Sequence, residues 1–133
     1  TMDYYRPLTS FAQVVGWSIE KPSRPTATQV MDFLSQSFHD DGTQSFAAGL
    51  PPFEQIRRQY SDQQAIDFAR FVHSTDTYLD VHCTVWTPDS FVEVFNRVCQ
   101  VGLLNVTVDG PYTGFKGSPA AEFLVYLEKT GPA

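Results

Sequence analysis

The chain has 133 residues and a formal charge of −6, from 9 Lys and Arg against 15 Asp and Glu, with an isoelectric point near 4.8. Nine scattered bases make a poor footprint for a phosphate backbone, and no apolar run approaches the roughly 18 residues of a membrane span, so nucleic-acid binding and membrane insertion are disfavoured. Eleven Phe, six Tyr and two Trp supply enough apolar area for a core, and the length points to a single domain, 1–133.

Residues 1–10 read as an irregular opening. Thr9 or Ser10 caps a helix in which Phe11, Val14, Val15 and Ile19 recur at helical spacing. Pro22 and Pro25 break the chain by fixing φ and removing amide donors. Thr26 restarts a helix with Val30, Phe33, Leu34 and Phe38 on one stripe, ended by Asp40, Asp41 and Gly42. Residues 53–60 read as a short helix. Ser61 with Gln64 forms a capping box that opens a helix carrying Ile66, Ala69 and Val72. The first 75 residues are therefore helical and rich in loops.

The pattern then changes. Over 78–86, Leu79, Val81, Cys83 and Val85 alternate with Asp80, His82, Thr84 and Trp86, the period of two of a strand. Thr87 caps a further helix with Pro88 at its first position and an apolar stripe of Phe91, Val94, Phe95, Val98 and Val101; Gly102 ends it. Residues 103–109 predict a second strand. After a turn region containing three Gly and two Pro, residues 122–128 predict a last strand buried on both faces. The fold class is α+β (partial α/β): a helical region, 1–75, then strand, helix and an antiparallel strand pair, 76–133. A half-complete sheet exposes an edge that invites pairing, so a homodimer, or packing against further chain, is expected.

Cys83 and Cys99 are too few for a disulfide framework and too far apart for a CxxC motif. The chain opens with no charged-then-apolar leader, so two reduced thiols in a cytoplasmic protein are expected, with one bridge left open as the alternative. No compact metal-ligand spacing joins His39, Asp40, His73, His82 and Cys83, and His82 and Cys83 fall on opposite faces of the predicted strand, so no metal is expected. Asp80 and His82 share the polar face. An imidazole oriented by a carboxylate suits a general base, although the same two groups can equally hold the segment through backbone hydrogen bonds. Arg6 can fork onto an anionic substrate group or pair with an acid such as Asp3 or Asp80. Tyr4, Tyr5 and Trp86 can form an aromatic wall for an acceptor or pack as ordinary core.

The order Trp86, Thr87, Pro88, Asp89, Ser90, Phe91, then helix, strand, turn and a strand carrying Phe123, Leu124, Val125, Tyr126 and Leu127, resembles the C-terminal part of bacterial class I S-adenosylmethionine-dependent methyltransferases. The opening Asp3, Tyr4, Tyr5, Arg6, Pro7, Leu8, Thr9 is similar to the segment that follows the last cofactor-side strand in one subgroup of them. The resemblance spans residues 3–129 and is weak over 26–64. It implies the C-terminal half of a Rossmann-like fold. It also implies an acceptor side lined by Tyr5, Arg6, Asp80, His82 and Trp86, with His82 as base. None of the eight glycines lies in a G-x-G array between a strand and a helix, so the resemblance carries no S-adenosylmethionine site in this chain and no catalysis by it alone. A small non-enzymatic binding or assembly module is the alternative.

Overall fold

A computed structural model describes residues 4–38, 49–114 and 122–131. Its order is α1 (Phe11–Glu20), α2 (Ala27–Gln36), one 3-10 turn (Phe53–Gln55), α3 (Asp62–Ser74), α4 (Pro88–Gln100), β1 (Val106–Thr113) and β2 (Phe123–Lys129). The architecture is α+β, with four helices and one two-stranded antiparallel sheet among the described residues. The chain divides into two compact units, Thr1–Pro7 with Pro22–Val85, and Leu8–Lys21 with Trp86–Ala133.

Each helix begins at a side chain that accepts a hydrogen bond from an otherwise orphaned amide. Ser10, Thr26, Ser61 and Thr87 accept from Gln13, Gln29, Gln64 and Ser90, and each of those side chains returns a contact to the cap backbone. α2 stops at Gln36, earlier than the expected Asp40, because Ser37 turns to extended backbone and Phe38 bridges to Arg58 instead. The Asp40, Asp41 and Gly42 stop lies outside the described residues. The helix expected over 53–60 is reduced to a single 3-10 turn, since Ile56 leaves for extended backbone and its side chain is buried.

In the first unit α2 packs on α3, and Val30, Leu34, Ala65, Ala69, Val72 and Val81 form its core. Leu79 and Cys83 pack against the same cluster. A second apolar group joins Tyr4, Tyr5 and Phe53 around Phe38, which is 0 % exposed.

The strand expected over 78–86 is not in a ladder. Its burial alternates as expected over 78–85: Val81 is buried and Leu79, Cys83 and Val85 are half-buried, while Tyr78, Asp80, His82 and Thr84 are exposed; Trp86, expected on the polar side, is half-buried. A strand is completed only by a neighbour, however, and the described residues place none beside it.

In the second unit α4 packs on β1 and on α1, and the Arg97 guanidinium lies 4.2 Å from the centre of the Phe11 ring. Trp86, Phe91, Phe95 and Phe123 form a half-buried aromatic cluster in which Phe91 and Phe95 stack at 4.2 Å. Gly102 ends α4 at φ +75, a left-handed position that suits glycine. β1 starts later than expected and runs further, Val106 pairing with Lys129 and Thr113 with Phe123. The register shifts between Asp109 and Tyr112, where Gly110 sits at φ +133 and an added Cβ would stand 3.0 Å from the Leu124 carbonyl oxygen. β2 is not buried on both faces: the sheet has two strands and α4 covers one side, leaving Leu124 and Tyr126 exposed.

Candidate functional site

The site residues expected from sequence sort into one buried group, one exposed pair and one outlier. Arg6 is the centre of the buried group, its side chain 1 % exposed. Its Nε and Nη2 donate to Asp32 Oδ2 at 2.9 and 2.8 Å, and Asp32 Oδ1 accepts from Gln36 Nε2 at 2.7 Å, one helical turn on. Asp32 is the only charged residue of α2, the local signal that marks it as a partner for a buried cation. The sequence offers Asp3 and Asp80 as examples of an acid for such a pair. Asp80 is exposed and forms no ion pair with a described residue, and Asp3 lies outside the described residues.

Phe33, adjacent to Asp32 on α2, links Arg6 to His82. The guanidinium stands 5.4 Å from the centre of the Phe33 ring, and the His82 ring meets Phe33 at 5.1 Å with planes tilted by 57°. The helical stripe identifies Phe33 only as core; its role as a platform shared by a cation and an imidazole is visible in the structure alone. Gln29 Nε2 reaches the Cys83 carbonyl oxygen at 3.4 Å and so ties α2 to the same segment. The Cys83 thiol donates to Val81 O at 3.6 Å. Burial pushes its pKa up from the ordinary 9.0, Arg6 opposes the shift and Asp80 adds to it, so the sulfur is held as a neutral thiol rather than a nucleophilic thiolate. Cys99 is also a free thiol.

Asp80 and His82 stand two residues apart on the exposed side of 78–85, as the alternation requires. Tyr5 does not join them. Its hydroxyl donates to the Pro51 carbonyl and its ring packs on Phe38 and Phe53, so it serves the apolar group. Trp86 belongs to the second unit, against Phe91 and Phe95. The aromatic wall therefore divides: Tyr4 and Tyr5 share Phe38, whereas Trp86 serves the other cluster.

Among the described residues of the first unit, two surface hollows can be outlined. One of about 430 Å³ is lined by Pro22, Arg24, Thr26, Val72 and His73, among others. Another of about 400 Å³ is lined by Gln36, Phe53, Arg58 and Asp62 among others. Neither takes in Asp80 or His82. Arg24 is committed to the Thr75 carbonyl at 2.6 Å and to Asp76 at 3.1 Å. Among the described residues no group of three or more His, Cys, Asp and Glu is placed to hold a metal ion, and no helix is long and apolar enough to cross a membrane. No protein-family model matches the chain, and no curated protein or solved structure is similar to it.

Proposed function

We propose that the chain supplies the acceptor side of an S-adenosylmethionine-dependent methyl transfer and does not act alone. The observation that carries this reading is the exposed Asp80 and His82 pair, set beside the Arg6 and Phe33 platform at the end of a strand-like segment. The order that follows it, a Pro88-started helix and a closing antiparallel pair, is also the order of the resemblance.

In this reading His82 accepts the proton that a hydroxyl or amine acceptor gives up as it takes the methyl group, and Asp80 stands two residues away on the same exposed side. Arg6 contributes no substrate contact in this reading; it holds α2, and through Phe33 the His82 ring, in place. In this reading the chain itself holds no part of the cofactor. Described glycines with positive φ occur at 49, 102, 110, 114 and 131, and none of them opens a helix after a strand, where a backbone cradle for the ligand would form. No step of the transfer is assigned to the cofactor in this chain.

A second reading, an assembly module without catalysis, is favoured by a separate observation: Arg6 and Tyr5 are both consumed by internal packing. Calorimetric titration of the chain with S-adenosylmethionine is expected to show no binding, and tight binding would contradict an acceptor-only role. In the complete transferase that this reading implies, His82→Ala is expected to abolish most turnover. Unchanged turnover removes the base and leaves the assembly module.

A further inference from the structure

We propose that the open face of the two-stranded sheet docks a basic segment of a protein partner, with an arginine side chain stacked on Tyr126 and held by Asp109 and Glu128. The inference goes beyond methyl transfer and stands without it.

The register sets the face. Asp109 lies directly across from Tyr126 and Thr107 across from Glu128, so these four side chains share one side of the sheet. Leu124 joins them, two positions from Tyr126. Tyr112 is three positions from Asp109 and in a regular strand would turn to the opposite side. The extra residue at Gly110 and Pro111 brings it back: two residues of β1 stand against Val125 alone, and Tyr112 comes to lie across from Leu124. Its hydroxyl donates to Asp109 Oδ1 at 2.7 Å, and its ring meets that of Tyr126 at 5.8 Å with planes at 69°. The alternate face carries Phe123, which packs on Phe91 of α4. The bulge therefore adds a second aromatic ring to the face away from α4.

The chemistry of this face points to a cation. Tyr112 and Tyr126 are 46 % and 58 % exposed, with Leu124 exposed beside them. A phenol ring carries negative charge density on its face. The carboxylates add to it, Asp109 across from Tyr126 and Glu128 two positions along from it. Neither forms an ion pair with a described residue. Lys129, the only base of the two strands, falls on the alternate face.

An arginine meets these groups together. Its planar guanidinium stacks on an aromatic ring while its N–H groups fork onto a carboxylate, whereas a lysine ammonium is a compact charge without that fork. A free small molecule is held by a concave pocket that encloses most of it. An open face suits a group that stays attached to a larger partner, so the occupant is a basic peptide segment.

Titration of the chain followed by nuclear magnetic resonance tests this. The probe is a short blocked peptide of alternating glycine and arginine, with two counterparts in which citrulline or lysine replaces arginine. The arginine peptide is expected to shift the amide resonances of Asp109, Tyr126 and Glu128 saturably. Citrulline keeps the shape and loses the charge, so its peptide should bind about fivefold or more weaker, with the lysine peptide between the two. Tyr126→Leu should weaken the arginine peptide about two- to fivefold, the usual size of an exposed contact between a cation and a ring. Glu128→Gln should weaken it about twofold. Both side chains are exposed, and Glu128→Gln carries the test if Tyr126→Leu alters the amide spectrum away from the sheet. The absence of a saturable shift at these positions overturns the proposal. So does a citrulline or lysine peptide that binds as tightly as the arginine one, or an affinity that neither variant changes. Shifts of the same resonances on raising protein concentration without peptide would assign the face to a second copy and also overturn it. Because the readout is peptide affinity, it is scored separately from any transfer activity.

Discussion

The two units enclose their apolar residues to different degrees. The first, built on α2 and α3, buries Val30, Phe38 and Ala65 completely and ties the buried Arg6 guanidinium to Asp32 of α2. The second places four large side chains, Trp86, Phe91, Phe95 and Phe123, in a cluster that is only half-buried, and leaves Tyr126 58 % exposed on the open face of its sheet. In the first unit two packed helices and the segment through Val81 close a core. Among the described residues the two-stranded sheet has one helix layer, against β1, and its other face stays open.

Four perturbations sharpen or break that comparison. The largest expected effect is Phe38→Ala, which removes a fully enclosed ring and should cost about 3–5 kcal/mol, measured by urea unfolding. Asp32→Ala takes the carboxylate from Arg6 and should cost about 3 kcal/mol, because a buried guanidinium loses its paired charge. Phe95→Ala, in the half-buried cluster, should cost only about 1–2 kcal/mol, since much of that ring already meets solvent or soft edges. A loss as large as that of Phe38→Ala would show that the second unit is as tightly enclosed as the first.

The smallest effect is a titration. The Tyr112 hydroxyl donates to Asp109 Oδ1 at 2.7 Å, and this bond, with the adjacent charge, lifts its pKa above the ordinary 10.0. The folded phenol holds its proton more firmly than the unfolded one. Its contribution to stability is therefore full below the ordinary value and is lost as pH rises through the folded value. Asp109→Asn should move the phenolate absorbance transition of Tyr112 back towards 10.0. An unmoved transition would remove Asp109 as the cause.

Local chemistry in the sequence was readable where structure depends on neighbours in the chain. The Ser61 and Gln64 capping box and the Thr87 and Pro88 helix start both stand at the positions the pattern indicated. β1 was misplaced because Gly110 and Pro111 read as a breaker, whereas the strand passes through them by a shift in register. The alternation over 78–86 matches the burial of 78–85 and fails at Trp86, which packs on Phe91 and Phe95. It could not say whether a ladder exists, since pairing is a property of two segments and the pattern describes one. Arg6 illustrates the same limit at the site. Its fork signalled an anion, but the partner lies 26 residues away on α2, beyond any local spacing. The exposure of Asp80 and His82 on one side was legible; the Phe33 platform beneath His82 was not.

Amide hydrogen exchange measured across both units tests their unequal enclosure most directly. The buried packing of α2 on α3 predicts slow exchange in the middle of those helices and faster exchange along β1 and β2, where Leu124 and Tyr126 are exposed. Equal protection in the two units, or slower exchange in the sheet, would contradict it.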